Sequence, residues 1–149
     1  METLGASSAE TRPCSLPSDL VGPMLATEKL VAFGATTDGA RAAAFYRDVL
    51  GLPIRSDDAF AISFDAHGVE LRLQKVERFQ PHPFTSLGWQ VADIDRVVSR
   101  LAASQVTTER YAWMDQDDAG VWTAPSGARV AWFKDPDGNL ISVAEYPSA

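Results

Sequence analysis

One order of elements, written twice along 149 residues, constrains this chain more than any other feature. The first copy opens with an apolar run from Leu30 to Thr36 that reads as a strand and leads into Thr37-Asp38. Asp38 is a good N-cap, because its carboxylate can accept a free backbone N–H of the first helical turn. Ala42, Phe45 and Val49 then recur at helical spacing, Tyr46 and Leu50 extend the same face, and Gly51 suits the residue just past a helix. The spacing predicts a helix over 39–50. A short strand begins at Pro53–Arg55. Over 59–65, Phe60, Ile62 and Phe64 alternate with Ala61, Ser63 and Asp65; beyond a turn at Ala66-His67-Gly68, Val69, Leu71 and Leu73 alternate with Glu70, Arg72 and Gln74. Alternation with period two predicts two strands joined by a hairpin.

After a stiff joint, Gln80-Pro81-His82-Pro83, the order returns. Ser86 to Val91 is a strand, Asp93 caps a helix, and Ile94, Val97, Val98 and Leu101 keep i, i+3, i+4, i+7 spacing. Trp89 should pack beneath that helix. Strands are expected at 106–112, 128–134 and 140–146, with Asp135-Pro136-Asp137-Gly138 as the last hairpin turn. The two caps stand 55 positions apart and the two hairpin glycines 70 apart, so the second copy is longer by 15. The loop from Trp113 to Gly127 absorbs the difference. Each copy reads strand, helix, strand, strand, strand, and the repeat rests on element order rather than on identity.

Residues 1–27 read as a flexible extension outside this repeat. Ser7, Ser8, Ser15, Ser18, Pro13, Pro17 and Pro23 leave no periodic apolar face, although Leu20, Val21, Met24 and Leu25 could dock on a groove. Residues 28–149 form the folded domain, with modules at about 29–76 and 85–146. Charge and cysteine usage then narrow the function. Thirteen basic against twenty acidic residues leave a net charge of −7, which repels phosphate backbones and disfavours nucleic-acid partners. Cys14 is the single cysteine, so no intrachain disulfide can form, and the fold must hold by packing, as suits a reducing cytoplasm. No run reaches the ~18 apolar residues of a membrane span. Glu2, Glu10 and Arg12 interrupt any signal-peptide core.

The doubled βαβββ unit carries Phe45-Tyr46-Arg47-Asp48-Val49-Leu50-Gly51-Leu52 at its first helix end and Phe133-Lys134-Asp135-Pro136-Asp137-Gly138-Asn139 at its final hairpin. In these motifs and their order the chain resembles the vicinal oxygen chelate superfamily, the group of glyoxalases, bleomycin resistance proteins and extradiol dioxygenases. The resemblance covers about 29–146. It implies an α+β fold in which two βαβββ modules form curved, half-barrel-like mixed sheets around a cavity. It does not specify a reaction, because fold does not set function.

Many members of that superfamily hold a divalent metal on the first and last strands of each unit. Carried onto this sequence, those positions are Val31, Arg72, Ser86 and Ser142. Valine has no lone pair, a serine hydroxyl is a poor ligand, and a guanidinium repels a cation. No metal and no other cofactor is expected. His67 in a turn and His82 in the proline joint stand at none of these positions. Asp115-Gln116-Asp117-Asp118-Ala119-Gly120 starts like a calcium loop, but Ala119 offers no side-chain oxygen and Ser126 stands where a bidentate Glu belongs, so a solvated loop is expected.

What remains is an aromatic second half: Trp89, Tyr111, Trp113, Trp122, Trp132 and Phe133. The first reading is a metal-free small-molecule binding protein. Phe33, Trp113, Trp122 and Trp132 would wall a cavity for an aromatic or amphipathic ligand, and Arg72, Gln74, Ser86 and Gln90 would orient it. Trp113 and Trp122 could instead anchor the loop or a dimer contact, and Arg72 could instead pair with Glu70 or Glu109. The second reading is an enzyme, a glyoxalase-like lyase or isomerase or a dioxygenase relative, with Glu70 as general base. The third is a dimeric scaffold with a vestigial cavity. A homodimer is expected, since a half-barrel cannot cover its own concave face.

Overall fold

Both helix starts form where the carboxylates stand. In the computed structural model, which describes residue 17 and residues 20–149, Asp38 and Asp93 hold extended backbone (φ −144° and −142°). Their Oδ1 atoms accept the N–H groups of Arg41 and Arg96 at 3.0 and 3.1 Å. Cys14 and most of the expected extension lie outside the described residues. Leu20, Val21, Met24 and Leu25 are described, and all four are exposed.

Helix α1 runs Gly39–Ala43 and continues as a π-helical turn over Ala44–Val49, closed by the Leu50 N–H donating to the Phe45 carbonyl at 3.0 Å. The expected helix over 39–50 therefore forms with its second half wound wide. Helix α2 spans Ile94–Ala103 and buries Ile94, Val98 and Leu101. Glu145 adds an unforeseen cap by accepting the Ile94 N–H at 2.8 Å.

Strands β1 (Val31–Thr36), β2 (Ile54–Asp57), β3 (Ala61–Ala66) and β4 (Val69–Lys75) form one sheet in the order β1-β4-β3-β2. Strands β5 (Leu87–Gln90), β6 (Trp122–Thr123), β7 (Arg129–Lys134) and β8 (Leu140–Glu145) form the second in the order β5-β8-β7-β6. In each sheet the strand before the helix runs parallel to the last strand, and the other pairs are antiparallel. Two mixed sheets with few helices make an α+β fold. Neither sheet closes into a barrel.

The strand expected over 106–112 is a correction. Only Thr108 bridges β7, at Phe133, with the Glu109 N–H donating to the Trp132 carbonyl at 2.7 Å. The Gln116 side chain takes the backbone that a longer strand would have used, accepting from Tyr111 N and donating to the carbonyls of Glu109 and Gly120. Trp122–Thr123 then pairs with Arg129 and Val130 farther along β7. The fourth strand of the second sheet is thus split between two segments, and the extra residues loop out between them.

One core joins the modules. Phe45, Tyr46, Phe64 and Leu73 share it with Val98, Phe133, Ile141 and Val143. Tyr46 Oη donates to Asp135 Oδ2 at 2.7 Å, Asn139 Nδ2 donates to the Ala35 carbonyl at 3.0 Å, and Asp137 accepts from Thr36, Thr37 and Arg41. The final hairpin of the second module is in this way bonded to the first strand and helix of the first.

Candidate functional site

Strand alternation sorts the side chains. On β4, Leu71 and Leu73 are buried against the helices, so Glu70, Arg72 and Gln74 lie on the opposite, open face. Parallel register sets Phe33 beside Arg72, and antiparallel register sets Ser63 beside it on the other flank. Ser63 Oγ donates to Glu70 Oε1 at 2.6 Å and accepts from Arg72 Nη1 at 3.4 Å, while Arg72 Nη1 stands 4.0 Å from Glu70 Oε1. Of the two partners open to Arg72, Glu70 is the one it meets. Glu109 stands 4.0 Å from Lys134 instead. Phe33 is 55% exposed, which is unusual for a strand phenylalanine and leaves its ring free beside the guanidinium.

In the second sheet Ala131, Phe133, Ile141 and Val143 are buried, so Trp132 and Ser142 share the open face, as direct partners across β7 and β8. Trp122 stands 6.2 Å from Trp132 between ring centroids, Tyr111 meets Trp132 edge-to-face at 5.7 Å, and Trp113 follows Tyr111 at 5.9 Å. Trp113 is 80% exposed. The Tyr111 phenol is held above its usual range by partial burial and then by the nearby Glu109 carboxylate. Gln90 ends β5 on this face, across from Ala144. Ser86 precedes β5, and its hydroxyl donates to the Leu140 carbonyl at 3.1 Å.

The expected residues therefore fall into two groups. Phe33, Glu70, Arg72 and Gln74 share one open face, and Gln90, Trp113, Trp122 and Trp132 belong to the other sheet. Among the described residues no hydrogen bond, ion pair or ring contact joins the groups. Ser63 and Tyr111 complete them. Ser63 shows in the sequence only as the small polar residue among Phe60, Ile62 and Phe64, and only register reveals its partners. Trp89 faces the helices, in a cavity of about 270 Å³ that contains neither group.

The side chains at the positions carried over from the superfamily's metal site do not suit a divalent ion. Ser86 uses its hydroxyl on backbone, Arg72 brings positive charge, and Glu70 beside it is engaged by Ser63. Among the described residues no three His, Cys, Asp or Glu side chains gather as a ligand set. His67 sits in its turn at φ 52°, and His82 stacks on Phe84. In the acidic loop Asp117 Oδ1 accepts the N–H groups of Ala119 and Val121 at 2.9 Å each, which makes it a turn former.

The chain belongs to the Glyoxalase/Bleomycin resistance protein/Dioxygenase superfamily, whose family model matches residues 33–143. Among curated proteins, none matches in sequence. Solved structures share the fold. A lactoylglutathione lyase from Agrobacterium tumefaciens is 21% identical with a TM-score of 0.63, over 80% of this chain and 93% of that one. A bleomycin resistance determinant encoded on the transposon Tn5 is 18% identical with a TM-score of 0.65, over 82% and 100%. A genomically encoded fosfomycin resistance protein, FosX, from Listeria monocytogenes is 13% identical with a TM-score of 0.63, over 79% and 92%.

Proposed function

We propose that this protein binds a small aromatic or amphipathic molecule without a metal, on the open faces of its sheets. The observation that carries the reading is the run of four rings, Trp113–Tyr111–Trp132–Trp122, each within 6.2 Å of the next on a face that the described residues leave partly open. Aromatic rings left half-open offer a planar ligand stacking area at little cost in side-chain entropy. Arg72, with five N–H donors and only weak contacts to Ser63 and Glu70, supplies a charged anchor for a carbonyl or anionic group. Two open faces in one chain also favour a homodimer, in which each face is covered by a second copy and the ligand is enclosed. Relatives named for drug resistance and for a lyase reaction share the fold, so both binding and catalysis have precedent on it. Low cysteine usage and acidic charge suit a cytoplasmic setting. Among the described residues no helix is long and apolar enough to cross a membrane.

The test is a panel of aromatic and amphipathic metabolites titrated against the purified protein, read by tryptophan fluorescence alongside its metal content. A saturable shift that Trp132→Ala abolishes, in protein free of stoichiometric metal, is expected. A metal bound one per chain, or no shift with any aromatic ligand, refutes the reading.

A further inference from the structure

The cavity on the helix side lies away from both open faces. Val49 from the π turn and Leu52 beyond it form one wall, Val97 and Leu101 of α2 the other, and Trp89 and Phe133 the base. Its volume of about 270 Å³ equals roughly nine waters at the ~30 Å³ each occupies in the liquid, room for an eight-carbon chain. Val49, Leu52, Trp89 and Val97 are only half-buried, so apolar surface stays in contact with water here although the rest of α2's inner face is sealed. π turns are rare and recur at functional sites. Here the turn supplies one lip of the cavity.

Among the described residues two charged side chains, Asp48 and Arg100, belong to the cavity lining. Asp48 is gripped by Arg47 through two hydrogen bonds, Nε at 2.8 Å and Nη2 at 3.1 Å, so that pair is neutral as a unit. Arg100 stands at the mouth, and among the described residues its guanidinium has no hydrogen-bond or ion-pair partner. A basic residue in the last turn is favoured by the helix dipole. That dipole places only about half a negative charge at the helix end, less than the full positive charge of Arg100, so a net positive charge remains beside Arg100.

We propose that this cavity is a second ligand site, which takes a small anionic amphiphile: an apolar tail of about eight carbons on Trp89 and Phe133, with its carboxylate at Arg100. Burying such a tail supplies the affinity, and Arg100 selects the charge.

Octanoate, octanol and octylammonium serve as probes, titrated calorimetrically into the full chain at low ionic strength. Octanoate should bind one per chain, about three- to tenfold tighter than octanol, the range expected of an exposed guanidinium screened by water. Arg100→Glu, at an exposed position, should reverse the order so that octylammonium binds better than octanoate. Ser104→Trp, at the rim, should weaken all three at least tenfold. Thermal midpoints near wild type confirm that each variant is folded. Equal binding of octanoate and octanol, or an order that Arg100→Glu fails to reverse, overturns the proposal. So does octanoate binding that Ser104→Trp leaves unchanged, which would place the ligand elsewhere on the protein. Absence of octanoate binding to the folded wild-type protein equally overturns it.

Discussion

Replacing Tyr46 with phenylalanine tests whether one buried hydrogen bond holds the two modules as a unit. Tyr46 is fully buried and Asp135 is 5% exposed, so neither can exchange its partner for water. Asp135 accepts four donors: Tyr46 Oη and Asn139 Nδ2 on Oδ2, and the N–H groups of Asp137 and Asn139 on Oδ1. Phenylalanine removes one donor and leaves the packing of its ring against Phe45 and Phe64 intact. A hydrogen bond to a buried carboxylate contributes about 1.5–3 kcal/mol. The expected loss is therefore ~2 kcal/mol, a fall in the thermal midpoint of about 4–8 °C for a chain of this size. Burial first, then the charge and hydrogen bond of Asp135, hold the Tyr46 proton far above the usual phenol range. Because the folded value is raised, this stabilisation is complete below the unfolded phenol value of ~10 and fades only as the pH rises past it. Urea titration at pH 6, 7.5 and 9 should show one transition with an unchanged slope and the same loss at each pH. A double-mutant cycle with Asp135→Asn should give coupling of at least ~1 kcal/mol. A loss below ~0.5 kcal/mol, or additive effects in the cycle, would refute the argument.

Four further outcomes are expected. Arg72→Ala should weaken a polar ligand by ~1.5–3 kcal/mol while Glu70→Gln leaves affinity unchanged, whereas a ~10²–10⁴-fold loss of turnover in Glu70→Gln at constant affinity would identify an enzyme with Glu70 as base. For Asp137, burial raises the carboxyl but is outweighed by donors from Thr36, Thr37 and Arg41, so its folded value is depressed. Its contribution should be complete above the unfolded value near pH ~4 and be lost as the pH falls further, and Asp137→Asn should flatten that part of an acid-unfolding curve. Gly120→Ala, at φ 88° where a methyl would overlap the Thr108 hydroxyl, should cost about 1–3 kcal/mol and change the near-ultraviolet dichroism of Trp122 and Tyr111. Light scattering at micromolar concentration should give twice the 16.1 kDa chain mass, and a mass of one chain would rule out the dimer.

Local chemistry made much of this fold legible. Caps at Asp38 and Asp93, turns at His67-Gly68 and Asp135–Gly138, and the period of apolar residues between them each act within a few positions, so the sequence alone determined the element order up to α2 and at the final hairpin, and the split of buried from open side chains along β4 and β7. That Arg72 and Glu70 share a face, and that Trp132 faces away from Phe133, follow from period two alone. Tertiary structure decided what depends on distant partners. Ser63 reaches Glu70 only through the register of β3 on β4, and Asp137 meets Thr36 across about a hundred residues of chain. The Gln116 side chain, by taking backbone groups of residues 109–111, prevents the strand that composition favours there. The cavity beside Arg100 exists because the π turn, β5 and α2 meet at one place. Periodicity states which face a side chain occupies, whereas only the packed chain states what stands opposite it, since a hydrogen bond or a cavity wall is completed by residues that no local pattern names.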